Sequence, residues 1–207
     1  KRYRQWAQTP IPLPGPFRFV TMTATPPEGK HPFGLQDDDR RHSVLNLRLS
    51  APKPATLVIA GDLKDDNDSI SAALAQMLVA QAEGLAQKGL KAIGIMVNRV
   101  ATARAVYAAL QSKYGDRVLL LIGRMRPFDR DRTQNSDLFK QLLADHSDKR
   151  QLEQPVFVVA TQTLEVGANL DFDGLVSECA SLEAVRQRFG RLNRMGRDIA
   201  AEGVIVI

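Results

Sequence analysis

Two apolar runs without polar alternation, Val118–Ile122 (VLLLI) and Val156–Ala160 (VFVVA), constrain the fold more than any other feature of the chain. A strand with one wet face alternates apolar and polar residues, so an unbroken run marks a strand covered on both faces. Ala55–Ala60 (ATLVIA) is a continuous apolar run too, and Ala92–Val97 reads as a further strand. Gly174–Glu178 looks weaker, and Val204–Ile207 is the last strand. Between them, Ser69–Gln87 carries apolar residues at helical spacing, with Asp68 or Ser69 as N-cap and Gly89 as stop. Helices are also expected at Thr102–Lys113, Leu138–Ala144 and Ser181–Asn193. Strands alternating with helices imply an α/β doubly wound, mostly parallel sheet with helices on both faces.

The 207 residues suffice for one good core with a short appendage. Ahead of the main sheet, Arg18–Met22 reads as a strand stopped by Thr25-Pro26-Pro27. The segment from Pro26 to Pro54 holds five prolines and the run Asp37-Asp38-Asp39-Arg40-Arg41. It reads as an irregular linker or surface excursion whose charges are solvated. A net charge of +5 suits an anionic partner without requiring one. The single cysteine, Cys179, excludes an intrachain disulfide and a cysteine-based zinc site, and is expected to be a buried, inert thiol. His31, His42 and His146 lack metal-ligand spacing, so no metal site is expected. No apolar run approaches the roughly 20 residues that span a bilayer, and no signal peptide opens the sequence. A cytoplasmic location with no membrane partner is expected.

The chemistry gathers near the C-terminal end. In Gln187-Arg188-Phe189-Gly190-Arg191-Leu192-Asn193-Arg194 the glutamine is followed by arginines at one, four and seven residues. On the expected helix, Arg188, Arg191 and Arg194 drift only partly around the axis and project toward one side. Arginine suits phosphate because its planar fork stays charged and donates two parallel hydrogen bonds. The rival reading is a solvated basic face. Gly190 speaks against it, because a glycine inside a helix costs about 1 kcal/mol relative to alanine without structural gain. Upstream stands Ala160-Thr161-Gln162-Thr163-Leu164-Glu165-Val166-Gly167-Ala168-Asn169-Leu170-Asp171, leaving a strand at the edge where open α/β sheets bind ligands.

The arginine segment resembles motif VI of superfamily 2 helicases, and the upstream stretch resembles their motif V, in the same order and spacing. The resemblance implies a RecA-like domain, the second of two that sandwich ATP. It places Arg191 and Arg194 at the two finger positions and Gln187 at the cleft. It implies nucleotide contacts from Gly167 and Asn169, and a nucleic-acid phosphate contact from Thr161. The family's usual aspartate is replaced by Asn169, which leaves the ribose contact without charge assistance. Thr23-Ala24-Thr25 resembles motif III, which couples hydrolysis to strand binding, and Asn98-Arg99 resembles motif IV. Where the family grips the strand backbone, this chain has Gly123 to Arg132. Of its arginines, Arg124 and Arg126 are expected to touch the strand, while Arg130 and Arg132 remain open between strand contact and pairing with Asp129 and Asp131.

Within the superfamily, ATQTLEVGANLDFD and RQRFGRLNRMGR resemble the CRISPR-associated helicase–nuclease of type I systems. That implies single-stranded DNA as track, 3′ to 5′ movement, ATP with Mg2+, and recruitment by a CRISPR surveillance complex. Residues 1–27 would end the first motor domain, 28–54 would link, and 55–207 would form the second. The sequence holds no Gly-x-x-x-x-Gly-Lys-Ser/Thr, since Glu28-Gly29-Lys30-His31 lacks both the upstream glycine and the hydroxyl residue. It therefore reads as part of a larger enzyme that docks on a first RecA-like domain, and as inactive alone. The rivals are a non-catalytic nucleic-acid or partner-binding module derived from a helicase domain, and a stand-alone nucleotide enzyme.

Overall fold

Among the described residues a parallel sheet of six strands organises the fold. The computed structural model describes residues 37–60, 67–123, 125–162 and 169–207. Its strands are β1 (Ala55–Val58), β2 (Ala92–Met96), β3 (Val118–Leu121), β4 (Val156–Ala160), β5 (Gly174–Glu178) and β6 (Glu202–Val206). They lie in the order β1-β6-β5-β2-β4-β3, every neighbouring pair parallel. β2 pairs with β4 from Ala92↔Val156 to Met96↔Ala160, which puts the most apolar strands beside each other.

The missing polar alternation is explained by two cores, one on each face. On β2, Ile93 and Ile95 enter the first core while Ala92 and Met96 enter the second. On β4, Phe157 and Val159 go one way, Val156, Val158 and Ala160 the other. The first core is roofed by helices α3 (Asn67–Gln87) and α4 (Val100–Tyr114), through Leu78, Ala82 and Leu85 and through Val106 and Leu110. The second is closed by Phe139, Leu142, Leu170, Phe172 and Leu192. Burying each such side chain contributes roughly 1.5–3 kcal/mol. Phe172 and Leu192 also form a parallel backbone bridge, so the stretch before β5 and the stretch before β6 share this face.

The six described strands agree with expectation to within two residues at each end, and several other elements differ. β5, expected to be weak, is a central strand buried over its first four residues. β1 is an edge strand and stays largely exposed despite its apolar run. Helices α1 (Asp37–Arg41) and α2 (Ser43–Ser50) stand where an irregular segment was expected, although the acidic–basic run is indeed solvent-exposed. Three aspartates in the first turn and two arginines in the last suit the helix dipole of α1. Gly123 to Arg132 is likewise not all loop: α5 (Pro127–Asn135) begins with proline at its first turn, where the missing N–H costs nothing. Helix α6 (Asp137–Gln141) follows, capped by the Ser136 hydroxyl accepting from the Phe139 N–H at 3.2 Å. A 3₁₀ segment, Ala144–Lys149, leads on toward β4.

Cys179 is exposed, against the expectation of a buried thiol. It stands one residue beyond β5, where the chain leaves the sheet, and its N–H donates to the Val206 carbonyl at 2.7 Å. Apolar neighbours in sequence do not bury a residue that follows a strand end. Arg18–Met22 and Thr23-Ala24-Thr25 lie outside the described residues, as do Arg124 and Gly167. Among the described residues no helix is long and apolar enough to cross a membrane.

Candidate functional site

The arginine segment is only half helical. Helix α7 (Leu182–Phe189) starts at Ser181, whose hydroxyl accepts from the Ala184 N–H at 3.3 Å, and carries Glu183 in its first turn. It stops four residues sooner than Asn193. Gly190 is its C-cap, at φ −59° and ψ −12°, not an interior residue. A β-carbon there would stand a close 3.1 Å from the Gln187 carbonyl oxygen, at the helix exit. The inference drawn from a wasteful mid-helix glycine therefore fails.

With the helix over, the three arginines do not share a face. Arg188 is 1% exposed and points back to the C-terminal edge of the sheet. There it donates to Ser177 Oγ at 3.1 Å, the Glu178 carbonyl at 2.9 Å and Asn98 Oδ1 at 2.8 Å. Past Gly190 the backbone turns onto the Phe172 strand-like stretch: Phe172 N–H donates to the Arg191 carbonyl and Asn193 N–H to the Phe172 carbonyl. Arg191 is 7% exposed, whereas Arg194 is solvent-exposed.

Arg194 is carried by a closed loop. Asn193, buried and at φ +40°, accepts from the Arg197 N–H at 2.8 Å and donates to the Arg197 carbonyl at 3.0 Å. Asp171, fully buried, accepts the Arg194 N–H on Oδ1 at 2.6 Å and Arg197 Nε on Oδ2 at 2.9 Å. Arg197 Nη2 continues to Asp173 Oδ1 at 2.6 Å, where Arg150 Nη1 also donates at 3.0 Å. Asp173 Oδ2 takes the Lys91 and Ala92 N–H groups, and Arg150 Nη2 holds the Asp171 carbonyl at 2.6 Å. Two carboxylates and two guanidiniums thus anchor the loop at the N-terminal ends of β2 and β5. Burial pushes the Arg150 guanidinium below its ordinary value, against the pull of Asp173. For Arg197 burial acts the same way, but the Asp173 hydrogen bond and the Asp171 charge outweigh it and leave the value raised. Both stay cationic.

The segment before β1 touches the same loop, within one compact unit, Leu35–Ile207. Half-buried Lys53 donates from Nζ to the Phe189 carbonyl at 3.0 Å, at the C-terminal end of α7. Burial lowers its pKa from the ordinary lysine value, with Asp171 pulling upward and Arg194 adding to the fall. Gly196, at φ +70°, lies against the Leu47 carbonyl of α2, where a β-carbon would overlap.

The remaining candidates are spread along the other edge of the sheet and nearby. Asn98 has both amide ends engaged: Nδ2 donates to the Cys179 carbonyl at 2.8 Å while Oδ1 accepts from Arg188, and its N–H reaches Glu178 Oε2. Arg99 is exposed at the N-cap of α4. Thr161 follows β4 and is buried, its N–H donating to the Leu121 carbonyl at 3.2 Å. Gln187 is half-buried on α7. Asn169 donates from Nδ2 to Asp145 Oδ1 at 3.2 Å, and its carbonyl accepts the Ala144 N–H. Arg126, expected on the strand, forms a forked pair with Asp129 at 2.7 and 3.4 Å, the kind of internal pairing left open for Arg130 and Arg132. Among the described residues no group of three or more His, Cys, Asp or Glu could hold a metal.

Sequence reasoning missed Arg150, Asn193, Arg197 and Lys53, and used Asp171 and Asp173 only as markers. A signal was present. Acids alternating with Leu170 and Phe172 in an apolar stretch must be buried, and buried charges need partners.

Three comparisons bear on this arrangement. Residues 89–197 match the family described as CRISPR-associated nuclease/helicase Cas3, C-terminal. A putative CRISPR-associated nuclease/helicase Cas3 of Methanocaldococcus jannaschii is 29% identical over 117 residues, which are 56% of this chain and 15% of that protein. The chain thus spans under a sixth of that relative's length. Among solved structures, T. fusca Cas3-AMPPNP superposes with a TM-score of 0.57 at 21% identity, covering 76% of this chain and 18% of the other. A chain of a CRISPR RNA-guided surveillance complex, pre-nicking, superposes with a TM-score of 0.50 at 24% identity, covering 75% and 19%. At such identities the superpositions speak for the fold, which is α/β and RecA-like, as expected.

Proposed function

The chain belongs to the Cas3 C-terminal family of CRISPR-associated nuclease/helicases, and on that premise we propose that it is the finger-bearing half of an ATP-driven DNA translocase acting in CRISPR interference. The observation that carries this reading is Arg194, the exposed residue of a loop otherwise tied down by Asp171 and Asn193. An exposed guanidinium carried on a braced peptide is what a cation supplied across a domain cleft requires. Charge grows on the oxygens of the transferring γ-phosphoryl group, and a fixed planar fork stabilises it without reorganising at that moment. Arg191 and Gln187, preceding it, complete the nucleotide face, with Gly167 and Asn169 as nucleotide contacts.

The division into residues 1–27, 28–54 and 55–207 stands as part of the proposal, with Thr23, Ala24 and Thr25 as the coupling residues. The described carboxylates nearest the loop, Asp171 and Asp173, are already saturated by arginines and backbone N–H groups. The Mg2+ that accompanies ATP is therefore assigned to the first RecA-like domain. Lacking a phosphate-binding loop, this chain alone is inactive. Single-stranded DNA would follow Thr161, Arg99, Arg124 and Arg126. Asn98, with its amide engaged on both sides, serves that track by holding the β2 and β5 ends together. A surveillance complex recruits the enzyme in this reading, as the superposable chain is part of one.

The test is DNA-stimulated ATP turnover by the complete enzyme carrying Arg191→Ala or Arg194→Ala. Fingers act on the transition state, so kcat falls by about 10³-fold or more while KM for ATP holds. Wild-type kcat in either variant removes that residue as a finger. The rival, a non-catalytic binding module, requires that neither variant matter to turnover.

A further inference from the structure

The loop from Asn193 to Arg197 is braced more heavily than a surface turn needs. Its first residue binds both backbone groups of its last, through Asn193 Oδ1 to the Arg197 N–H at 2.8 Å and Asn193 Nδ2 to the Arg197 carbonyl at 3.0 Å. Asn193 accepts an unusual backbone conformation, φ +40°, to do so, a region that asparagine tolerates better than most residues. In the middle, the Arg194 N–H is held by Asp171 Oδ1 at 2.6 Å. Asp171 is in turn fixed by Arg197 Nε at 2.9 Å and lies fully buried. Asp171 holds the Arg194 peptide directly, Asn193 closes the loop on the Arg197 backbone, and Arg197 fixes Asp171; none of these bonds uses the Arg194 side chain.

We propose that Asn193 and Arg197 are positioning residues that aim the Arg194 guanidinium, acting through the closed loop and Asp171. The inference rests on Arg194 being a finger and goes beyond that reading, because the side chains of both residues are engaged within the loop and with Asp171 and Asp173. A misplacement of about 1 Å at a catalytic group costs about 10²-fold in rate. The braces hold the peptide that carries Arg194, so their loss lets it wander by that order.

The experiment is a double-mutant cycle on the complete enzyme, reading kcat and KM for ATP with saturating single-stranded DNA. Arg197→Met is expected to lower kcat by about 10²-fold with KM unchanged. In an Arg194→Ala background the same substitution should do nothing further, since the group it aims is gone. Asn193→Gly, which tolerates the positive φ and removes both side-chain bonds, should behave alike and serves if Arg197→Met fails to fold. Equal losses in both backgrounds would overturn the positioning role, as would wild-type kcat in both Arg197→Met and Asn193→Gly. Wild-type kcat in Arg194→Ala would instead strike the finger reading itself, and this inference with it.

Discussion

Arg126 with Asp129 and Arg197 with Asp171 are the same chemical pair at nearly the same distance, 2.7 and 2.9 Å. Their settings differ. The first pair is 83% and 39% exposed at the start of α5, three residues apart in sequence. The second is 14% and 0% exposed, and its members are separated by 26 residues. An exposed pair gains little, because water serves both ions nearly as well and the side chains lose freedom. In a buried pair either partner, once alone, leaves a charge that water cannot reach. Local spacing therefore advertises the pair that contributes least. The pair that shapes the site joins two motifs distant in sequence.

Substitutions on each side can break this contrast. Asp171→Ala should be the more damaging, leaving Arg197 Nε and the Arg194 N–H without their acceptor. Removing one member of a buried pair costs about 3–5 kcal/mol, so chemical denaturation of the purified domain should show a loss of that order. A loss under about 1 kcal/mol would mean that the cluster is wet and adaptable, and the contrast would collapse.

Arg126→Ala should change stability by no more than about 1 kcal/mol. Because its bond to Asp129 is weak, Arg126 is free to exchange that carboxylate for a strand phosphate. Its loss should then flatten the dependence of single-strand affinity on salt by about 0.7 log unit per log unit, alike for every sequence. Titration of labelled oligonucleotides into the complete enzyme at several salt concentrations reads this. An unchanged slope would leave Arg126 as a solvated helix cap and remove it from the strand track.

The same contrast marks what the sequence could reveal. Val156–Ala160 and Gly174–Glu178 were legible to the residue because strand boundaries follow local apolar content. The rank of β5 was not legible, because Gly174 and Ser177 dilute its pattern while its central place comes from pairing with β2 and β6. Prolines hid α2 and α5: Pro52 and Pro54 lie just beyond the first helix, and Pro127 opens the second, positions where proline punctuates helices without breaking them. The end of α7 was misread because arginines at helical spacing continue past Gly190 into a turn. The arginine motif could be read as a motif. Its mounting could not, because the link from Arg150 to Asp173 crosses 23 residues and the contact of Lys53 with Phe189 crosses 136.

The central claim is that Arg194 is aimed at charge that exists only in the transition state. The affinity of the complete enzyme for ADP with aluminium fluoride, a mimic of the transferring phosphoryl group, should be compared with its affinity for ADP alone in wild type and Arg194→Ala. The account predicts that the substitution weakens the mimic by about 10³-fold and leaves ADP unchanged. Equal weakening of both, or of neither, would contradict it.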